Sequence, residues 1–242
     1  GMNALGSNTI TASLAGAGTF TNTSGTTELS GTNNVYTGGT EIVGGQLTVD
    51  NLSSLGATTN TTTLSGGGIL ELDSGTQTQG LVSMGGGTVQ NGILSNTAIL
   101  GTAGDNAITA NIVGTASVTN SGGTNTLTAS NSYAGATEVS GGELVSSNND
   151  ALGNVTNSLV ISNGGTLSLG SGVTNVQGEV TLNGGVMSGG VLTNSGITIS
   201  GTGNTVSTEL AGSAGLTNSG TTTLSGSNSY SGGTVLSGGI LT

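Results

Sequence analysis

The chain contains a long internal repeat, and this repeat limits its fold more than any single residue does. The only tyrosines, Tyr36, Tyr133 and Tyr230, stand 97 residues apart. They lie in three similar stretches, NNVYTGGTEIVGGQLT (33–48), NSYAGATEVSGGELV (131–145) and NSYSGGTVLSGGILT (228–242). A fixed period of this kind is typical of proteins built from stacked copies of one structural unit. We therefore predict a single domain, residues 1–242, made of units 14–110, 111–209 and a partial unit 210–242.

Short alternating stretches separated by glycine fill each unit. In EIV-GG-QLTV (41–49) and LVIS-NGG-TLSL (159–169), polar and apolar residues alternate around a glycine-containing turn. Alternation with a period of two predicts β-strands, and no stretch has the apolar spacing of a helix. Equivalent strands recur about every 20 residues. Their matching apolar positions are Ile42, Leu64 and Met84 in the first unit, and Val139, Ile161 and Leu182 in the second.

A strand repeat of about 20 residues predicts the rung of a β-solenoid. Each strand would pair with a strand of the next rung, so that Val, Ile and Leu stack inward while Thr, Ser and Asn stack outward. The absence of proline fits, because proline would remove a hydrogen bond from such a ladder. We expect about twelve rungs and a rod on the order of 55–60 Å long. A β-sandwich also uses short strands but does not explain a strict period, and a disordered chain would not keep a repeat in phase.

The net charge of the chain excludes some classes of binding partner. It has eleven acidic residues, no Lys, Arg or His, and a net charge of −11. Nucleic acid is excluded as a natural partner because phosphate contacts need Lys or Arg, and anionic membranes are disfavoured for the same reason. No apolar run approaches the roughly 20 residues of a membrane-spanning helix. No signal segment is recognisable at Gly1, and we expect any export signal to lie outside this sequence.

The tyrosine stretches with their lead-in resemble the autotransporter-associated β-strand repeat of bacterial type V secreted proteins. The matching segments are TTELSGTNNVYTGGTEIVGGQLTV (26–49), TNTLTASNSYAGATEVSGGELV (124–145) and TTTLSGSNSYSGGTVLSGGIL (221–241). Family repeats often carry a Lys before the motif, which this chain lacks, and Ala136 replaces one glycine. The resemblance implies an exported, right-handed parallel β-helix that serves as an adhesin, self-association factor or stalk. The repeat markers are Tyr36, Tyr133, Tyr230, Gly38, Gly39, Gly135, Gly232 and Gly233.

Few residues are available for catalysis. The chain has no His, Lys, Arg or Cys, so only carboxylates and hydroxyls could act as an acid, a base or a nucleophile. Glu71 and Asp73 are the tightest acidic pair, about 7 Å apart on one strand face, and a glycosidase would use such a pair. A solvated outer surface explains them more simply. Asp105 lies in a single GTAGDN stretch, whereas calcium-binding solenoids carry an Asp in every turn. We predict no enzyme activity and no cofactor or metal site.

Two surface features keep alternatives open. Threonine triplets such as TTT (61–63) and TNT (124–126) suggest an ice-binding solenoid, although they fall in different rungs. The tyrosines could stack on a sugar ring, or they could plug the core at a corner. A glycan-binding or glycan-cleaving β-helix module is therefore the alternative to a purely structural role.

The two ends of the predicted rod are candidates for assembly. A solenoid exposes an unpaired rung at each end. Leu5 corresponds to Leu55 in the repeat, and Leu241 precedes Thr242, which corresponds to Thr48. We expect copies to stack head to tail between Leu241 and Leu5, unless the sequence is a fragment of a longer array. The predicted function is a bacterial surface stalk, fibre or matrix component, with self-association or a surface glycan or protein as partner.

Overall fold

The computed structural model describes residues 6–73 and 75–242, which form 25 parallel β-strands. The predicted all-β solenoid is confirmed, with about 12 turns of roughly 19 residues and no helix in the described part of the chain. The strands are β1 (Ser7–Ile10), β2 (Phe20–Asn22), β3 (Thr26–Leu29), β4 (Thr40–Ile42), β5 (Gln46–Val49), β6 (Thr62–Leu72), β7 (Thr76–Gln90), β8 (Ile93–Gly101), β9 (Asp105–Ile108), β10 (Asn111–Val113), β11 (Ser117–Asn120), β12 (Thr124–Leu127), β13 (Thr137–Val139), β14 (Glu143–Ser146), β15 (Leu159–Ser162), β16 (Thr166–Val176), β17 (Glu179–Asn183), β18 (Val186–Thr193), β19 (Gly196–Ser200), β20 (Asn204–Val206), β21 (Glu209–Ala211), β22 (Leu216–Asn218), β23 (Thr221–Leu224), β24 (Thr234–Leu236) and β25 (Ile240–Leu241).

Three ladders of stacked strands run along the rod. Ladder A begins with β2 and β4 and ends with β22 and β24. Ladder B begins with β1 and β3 and ends with β23 and β25. Ladder C is discontinuous and contains the first parts of β7 and β8 with β10, and later the last parts of β16 and β18 with β21. Where ladder C is present, the chain passes through ladders C, A and B in that order, as it does along β7.

The core is a set of apolar stacks, as the sequence pattern predicted. In ladder A, Ile42 pairs with Leu64 and Leu64 with Met84. All three side chains are fully buried. Val139, Ile161 and Leu182 form the equivalent stack in the second unit. Outward positions between them carry mainly Thr, Ser and Glu, because successive strand residues point to opposite faces.

Several strands are longer than the short stretches predicted from the sequence, because they continue around a corner. β6 covers 11 residues and β7 covers 15. The ladder between them shifts register between Ser65 and Gly68, where Gly66 and Gly67 have φ angles of +55° and +77°. Glycine adopts such angles without the steric cost of a Cβ atom. The backbone therefore bends at this corner while its inter-rung hydrogen bonds continue.

Candidate functional site

The tyrosine block, defined as residues 34–40, 131–137 and 228–234, occupies the corner where the chain enters ladder A. In the second block, the Tyr133 hydroxyl is 2.7 Å from Thr137 Oγ1, and both side chains are fully buried. The first and third blocks have the same hydroxyl pair, at 2.6 Å for Tyr36 and Thr40 and 2.7 Å for Tyr230 and Thr234. Each ring is thus fixed by the threonine that begins the next strand.

The asparagine two residues before each tyrosine joins the block to the rung below. Asn131 Oδ1 accepts a hydrogen bond from the Ile112 backbone N–H at 2.8 Å. Its Nδ2 donates to the Ala151 carbonyl of the rung above at 2.7 Å. One buried side chain thus satisfies backbone groups of two neighbouring rungs, which would otherwise carry a desolvation cost. Asn34 makes the same connections, to Leu14 and Ser54.

The first glycine of each block is required by close contact with the preceding rung. A Cβ atom at Gly38, Gly135 or Gly232 would lie 2.5, 2.3 or 2.4 Å from backbone atoms of that rung. The second glycine position is different, because Gly39 and Gly233 have φ angles of +87° and +81°. Ala136 occupies it in the second block, without a positive φ. The second block therefore accommodates a side chain at this position with a different backbone conformation, whereas at Gly39 a Cβ atom would lie 2.7 Å from the Thr61 carbonyl oxygen.

A turn of the following rung covers the first two tyrosine blocks. This leucine–glycine turn comprises residues 54–60 and 151–157. In the second unit Leu152 is fully buried, the Asn157 Nδ2 donates to the Tyr133 carbonyl at 2.9 Å, and the Asn154 N–H donates to the same carbonyl at 3.0 Å. The first unit repeats these contacts with Leu55, Asn60, Ala57 and Tyr36.

The third tyrosine block has no covering turn among the described residues. Tyr230 is half-buried, whereas Tyr36 and Tyr133 are 3% and 0% exposed. Leu236 is 57% exposed, although it occupies the position of the fully buried Val139. Around it Val235 and Ile240 are also exposed, and the predicted assembly residue Leu241 is half-buried in β25. The other predicted assembly residue, Leu5, lies outside the described residues.

Burial also sets the acid–base behaviour of the two covered tyrosines. Desolvation raises the pKa of Tyr36 to about 12, an effect that its hydrogen bond to Thr40 only partly opposes. The same two causes, in the same order, raise the pKa of Tyr133 further above its usual range. Both hydroxyls therefore stay neutral near pH 7. They act as packed hydrogen-bonding groups, although Tyr36 also lines a surface depression of about 220 Å³ together with Leu14 and Phe20.

The acidic residues considered from the sequence lie at the surface of the rod, where they are exposed or half-buried. In ladder B, Thr48 lies between Glu28 and Glu71, one rung from each. Glu71 accepts a hydrogen bond from Gln90 Nε2 at 2.5 Å and another from Asn91 Nδ2. Asp73 is exposed just after β6, and Asp105 is exposed at the start of β9. In residues 6–73 and 75–242, no three acidic side chains are grouped as a metal site would require.

A groove of about 390 Å³ lies along ladder A near β17, β19, β22 and β24. Its walls include Glu179, Ser195, Thr198 and Thr217, together with four glycines. Glu179 is the one carboxylate among these lining residues, so the groove lacks the acidic pair of a glycosidase. Its chemistry is that of a hydroxyl-lined surface depression.

Comparison with known proteins identifies the repeat. The sequence model of the family described as passenger-associated-transport-repeat matches residues 24–49, 119–145 and 217–242. Each match contains one tyrosine block, and the resemblance stated from the sequence is confirmed. The matches end before the leucine–glycine turns at 54–60 and 151–157. No curated protein and no solved structure matches the chain significantly. No helix in the described segments is long and apolar enough to cross a membrane.

Two functional features were not predicted from the sequence. The roles of Asn34, Asn131 and Asn228 were missed, although each stands two positions before a repeat tyrosine. The asparagines that end the leucine–glycine turns, Asn60 and Asn157, were also missed. The signal was present, because these two residues are 97 positions apart, as the tyrosines are.

Proposed function

We propose that this chain, with three passenger-associated-transport repeats on a β-solenoid, is a non-enzymatic structural rod of an exported, autotransporter passenger-like protein. Its role is that of a bacterial surface stalk, fibre or matrix and adhesin component. The observation that carries the proposal is the unbroken ladder B, in which β1 through β25 are joined rung by rung. A continuous hydrogen-bonded ladder resists bending and sets a fixed distance between two ends.

The composition supports the same proposal. A surface of Thr, Ser, Asn and Glu with a net charge of −11 keeps a long rod soluble. The absence of Lys and Arg leaves no cleavage site for trypsin-like proteases. Both properties suit a component that lies outside the cell. The repeat family supports the same location, since its description refers to passenger transport.

Double electron–electron resonance tests the rod as a rigid spacer. The chain has no cysteine, so Thr9→Cys and Thr223→Cys provide two unique spin-label positions on exposed ladder B residues. Eleven rung steps separate them, which is about 53 Å along the axis. A control pair, Asp105→Cys with Thr223→Cys, is six steps apart, or about 29 Å. Two narrow distributions in this ratio are expected, and a broad or shortened long-distance distribution would contradict a stalk.

Head-to-tail stacking is the assembly form that we propose for the rod. The general behaviour of solenoids supports it, since unpaired strand edges at the end of a solenoid associate readily. Electron microscopy of the purified protein tests this part separately. Filaments that lengthen with protein concentration are expected. Short rods of one length at every concentration would contradict filament formation, but they would still be consistent with a stalk.

A further inference from the structure

We propose that Asn154 is an acceptor for an N-linked sugar, which a transferase delivers from a glycosyl diphosphate donor. The residue begins the tripeptide Asn154-Val155-Thr156, which has the Asn-x-Ser/Thr pattern, or sequon, of an N-glycosylation site. The proposal goes beyond the proposed function, because it assigns a covalent modification to one side chain. It requires no filament and no enzyme activity of the rod itself.

The fold makes one of the sequons in the chain available at its surface. Four sequons are present, beginning at Asn22, Asn51, Asn60 and Asn154. Asn22 and Asn60 are 1% and 4% exposed, and the Nδ2 of each donates to a backbone carbonyl of a neighbouring rung at 2.9 Å. Asn51 is half-buried, and its Nδ2 donates to the Gly31 carbonyl at 3.0 Å. A sugar on any of these three nitrogens would have to fit between rungs.

Asn154 is exposed, as are the two residues that follow it. Its N–H donates to the Tyr133 carbonyl at 3.0 Å, and its carbonyl accepts from the Asn157 N–H at 2.9 Å. Both hydrogen bonds of its side chain are made by the oxygen, which leaves Nδ2 without a partner in residues 6–73 and 75–242. The leucine–glycine turn therefore holds the backbone of Asn154 in place and presents its amide nitrogen to the outside.

The threonine of this sequon contacts the acceptor amide directly. Asn154 Oδ1 accepts a hydrogen bond from the Thr156 N–H at 3.0 Å and another from Thr156 Oγ1 at 2.9 Å. An amide nitrogen is a weak nucleophile, and it becomes a better one when it loses a proton and negative charge moves to the oxygen. Two donors to that oxygen stabilise the charge, because hydrogen bonding to the charged form of a group favours that form. Thr156 is therefore a positioning residue for the acceptor.

The reaction transfers one glycosyl group. Asn154 Nδ2 forms a bond to the anomeric carbon C1 of the sugar, and the bond between C1 and the diphosphate oxygen breaks. The diphosphate leaves with the electron pair of that bond, and one Nδ2 proton passes to a base of the transferase. The step requires no oxidant or reductant. The attached sugar would project from the outer surface of the turn and leave the apolar stacks unchanged.

The first unit has the same turn without the acceptor. Ala57 stands 97 residues before Asn154. Its N–H donates to the Tyr36 carbonyl at 3.1 Å, and its carbonyl accepts from the Asn60 N–H at 2.9 Å. Thr59, two residues later, is exposed. Ala57→Asn therefore creates a sequon on an equivalent turn backbone.

Mass spectrometry of the folded full chain after treatment with a purified asparagine glycosyltransferase tests the proposal. One arm uses UDP-glucose with a transferase that takes nucleotide sugars, and the other uses a lipid-diphosphate oligosaccharide with its membrane transferase. Modification in either arm supports the proposal, and the arm identifies the form of the donor. We expect one glycan per chain, on Asn154, and none in Asn154→Gln. Ala57→Asn should gain a second glycan.

Variants of Thr156 test its positioning role. Thr156→Ala should lower the initial rate about tenfold, the effect of one lost hydrogen bond, whereas Thr156→Ser keeps the hydroxyl and should retain most of the rate. Thr156 is exposed, so neither change removes a core contact. Equal rates for Thr156→Ala and the unchanged chain would contradict the role assigned to the hydroxyl.

A synthetic peptide of residues 148–160, which lacks the fold, is the matched control. Modification of this peptide but not of the folded chain would overturn the proposal, because the turn would then hide the amide. Modification of neither, under conditions in which a standard acceptor peptide reacts, would exclude Asn154 as an acceptor. Glycans on Asn22, Asn51 or Asn60 of the folded chain would contradict the argument from burial. The spin-label distances that test the rod are independent of all these outcomes.

Discussion

Replacing tyrosine in a covered and in an uncovered block separates the effect of the covering rung from that of the block itself. Tyr133 and Tyr230 have a similar sequence context and the same 2.7 Å hydroxyl contact. Tyr133→Ala is expected to lower the free energy of unfolding by about 3–5 kcal/mol, the usual cost of deleting a fully buried aromatic side chain. Tyr230→Ala should cost less than about 3 kcal/mol, because the Tyr230 side chain is only partly buried in the folded state.

The corresponding phenylalanine variants isolate the hydroxyl group. Tyr133→Phe leaves the fully buried Thr137 Oγ1 without its partner, at an expected cost of about 1–3 kcal/mol. Tyr230→Phe should be close to neutral, because Thr234 is exposed and water can replace the lost contact.

Urea unfolding followed by circular dichroism gives the total stability of the four variants. Repeat proteins can unfold in parts, so hydrogen exchange is needed to locate the loss. Exchange should accelerate around β13 and β15 in the Tyr133 variants. Equal destabilisation by Tyr133→Ala and Tyr230→Ala would refute the reasoning, since it would mean that the covering turn contributes nothing to the tyrosine's role.

Three further predictions test the electrostatics and the composition. Folding raises the pKa of Tyr36 to about 12 and that of Tyr133 further. The contribution of these two neutral side chains to the free energy of unfolding is therefore complete below pH 10 and is lost as the pH rises above it. Above pH 10 the free energy of unfolding should fall by about 1.4 kcal/mol per pH unit for each tyrosine, measurable by urea unfolding at stepped pH. Thr48→Glu, between Glu28 and Glu71, should cost about 1 kcal/mol at low salt and less at high salt, whereas Thr198→Glu, between two threonines, should not show this salt dependence. Trypsin should leave the chain uncut on a denaturing gel even after heating, because it has neither Lys nor Arg, and any fragment would contradict this.

The fold was largely predictable because each level of the sequence pattern points to the same architecture. The long period fixed the stacking, and the short alternation predicted which side chains point inward. The pairing of Ile42 with Leu64 and of Leu64 with Met84 follows directly from aligning the strands. Strand length was less predictable, since glycine marks both a break in a ladder and a bend within one. Gly66 and Gly67 belong to the second kind.

The candidate site was predictable only in part, because its contacts join residues of different rungs. The sequence repeat identifies Tyr133 as a marker but does not show that Asn157, 24 residues later, donates to its carbonyl. Buried amides were also missed. Among the described residues, the side-chain oxygens of six buried amides have no hydrogen-bond partner, at Gln77, Asn96, Asn125, Asn175, Gln177 and Asn194. Strand alternation places such residues inward without indicating how their polar groups are satisfied; buried water molecules are the usual solution.

The spacing of the leucine–glycine turns has a mechanical consequence. A rung contacts only its neighbours, so a pulling force on the two ends would peel the solenoid one rung at a time. The rungs that carry a turn over a tyrosine would yield last, because glycine packing and side-chain amides join them in addition to the backbone ladder. These rungs recur every 97 residues. The chain between the two turns would then be released as one stage, which corresponds to about 330 Å of extended chain.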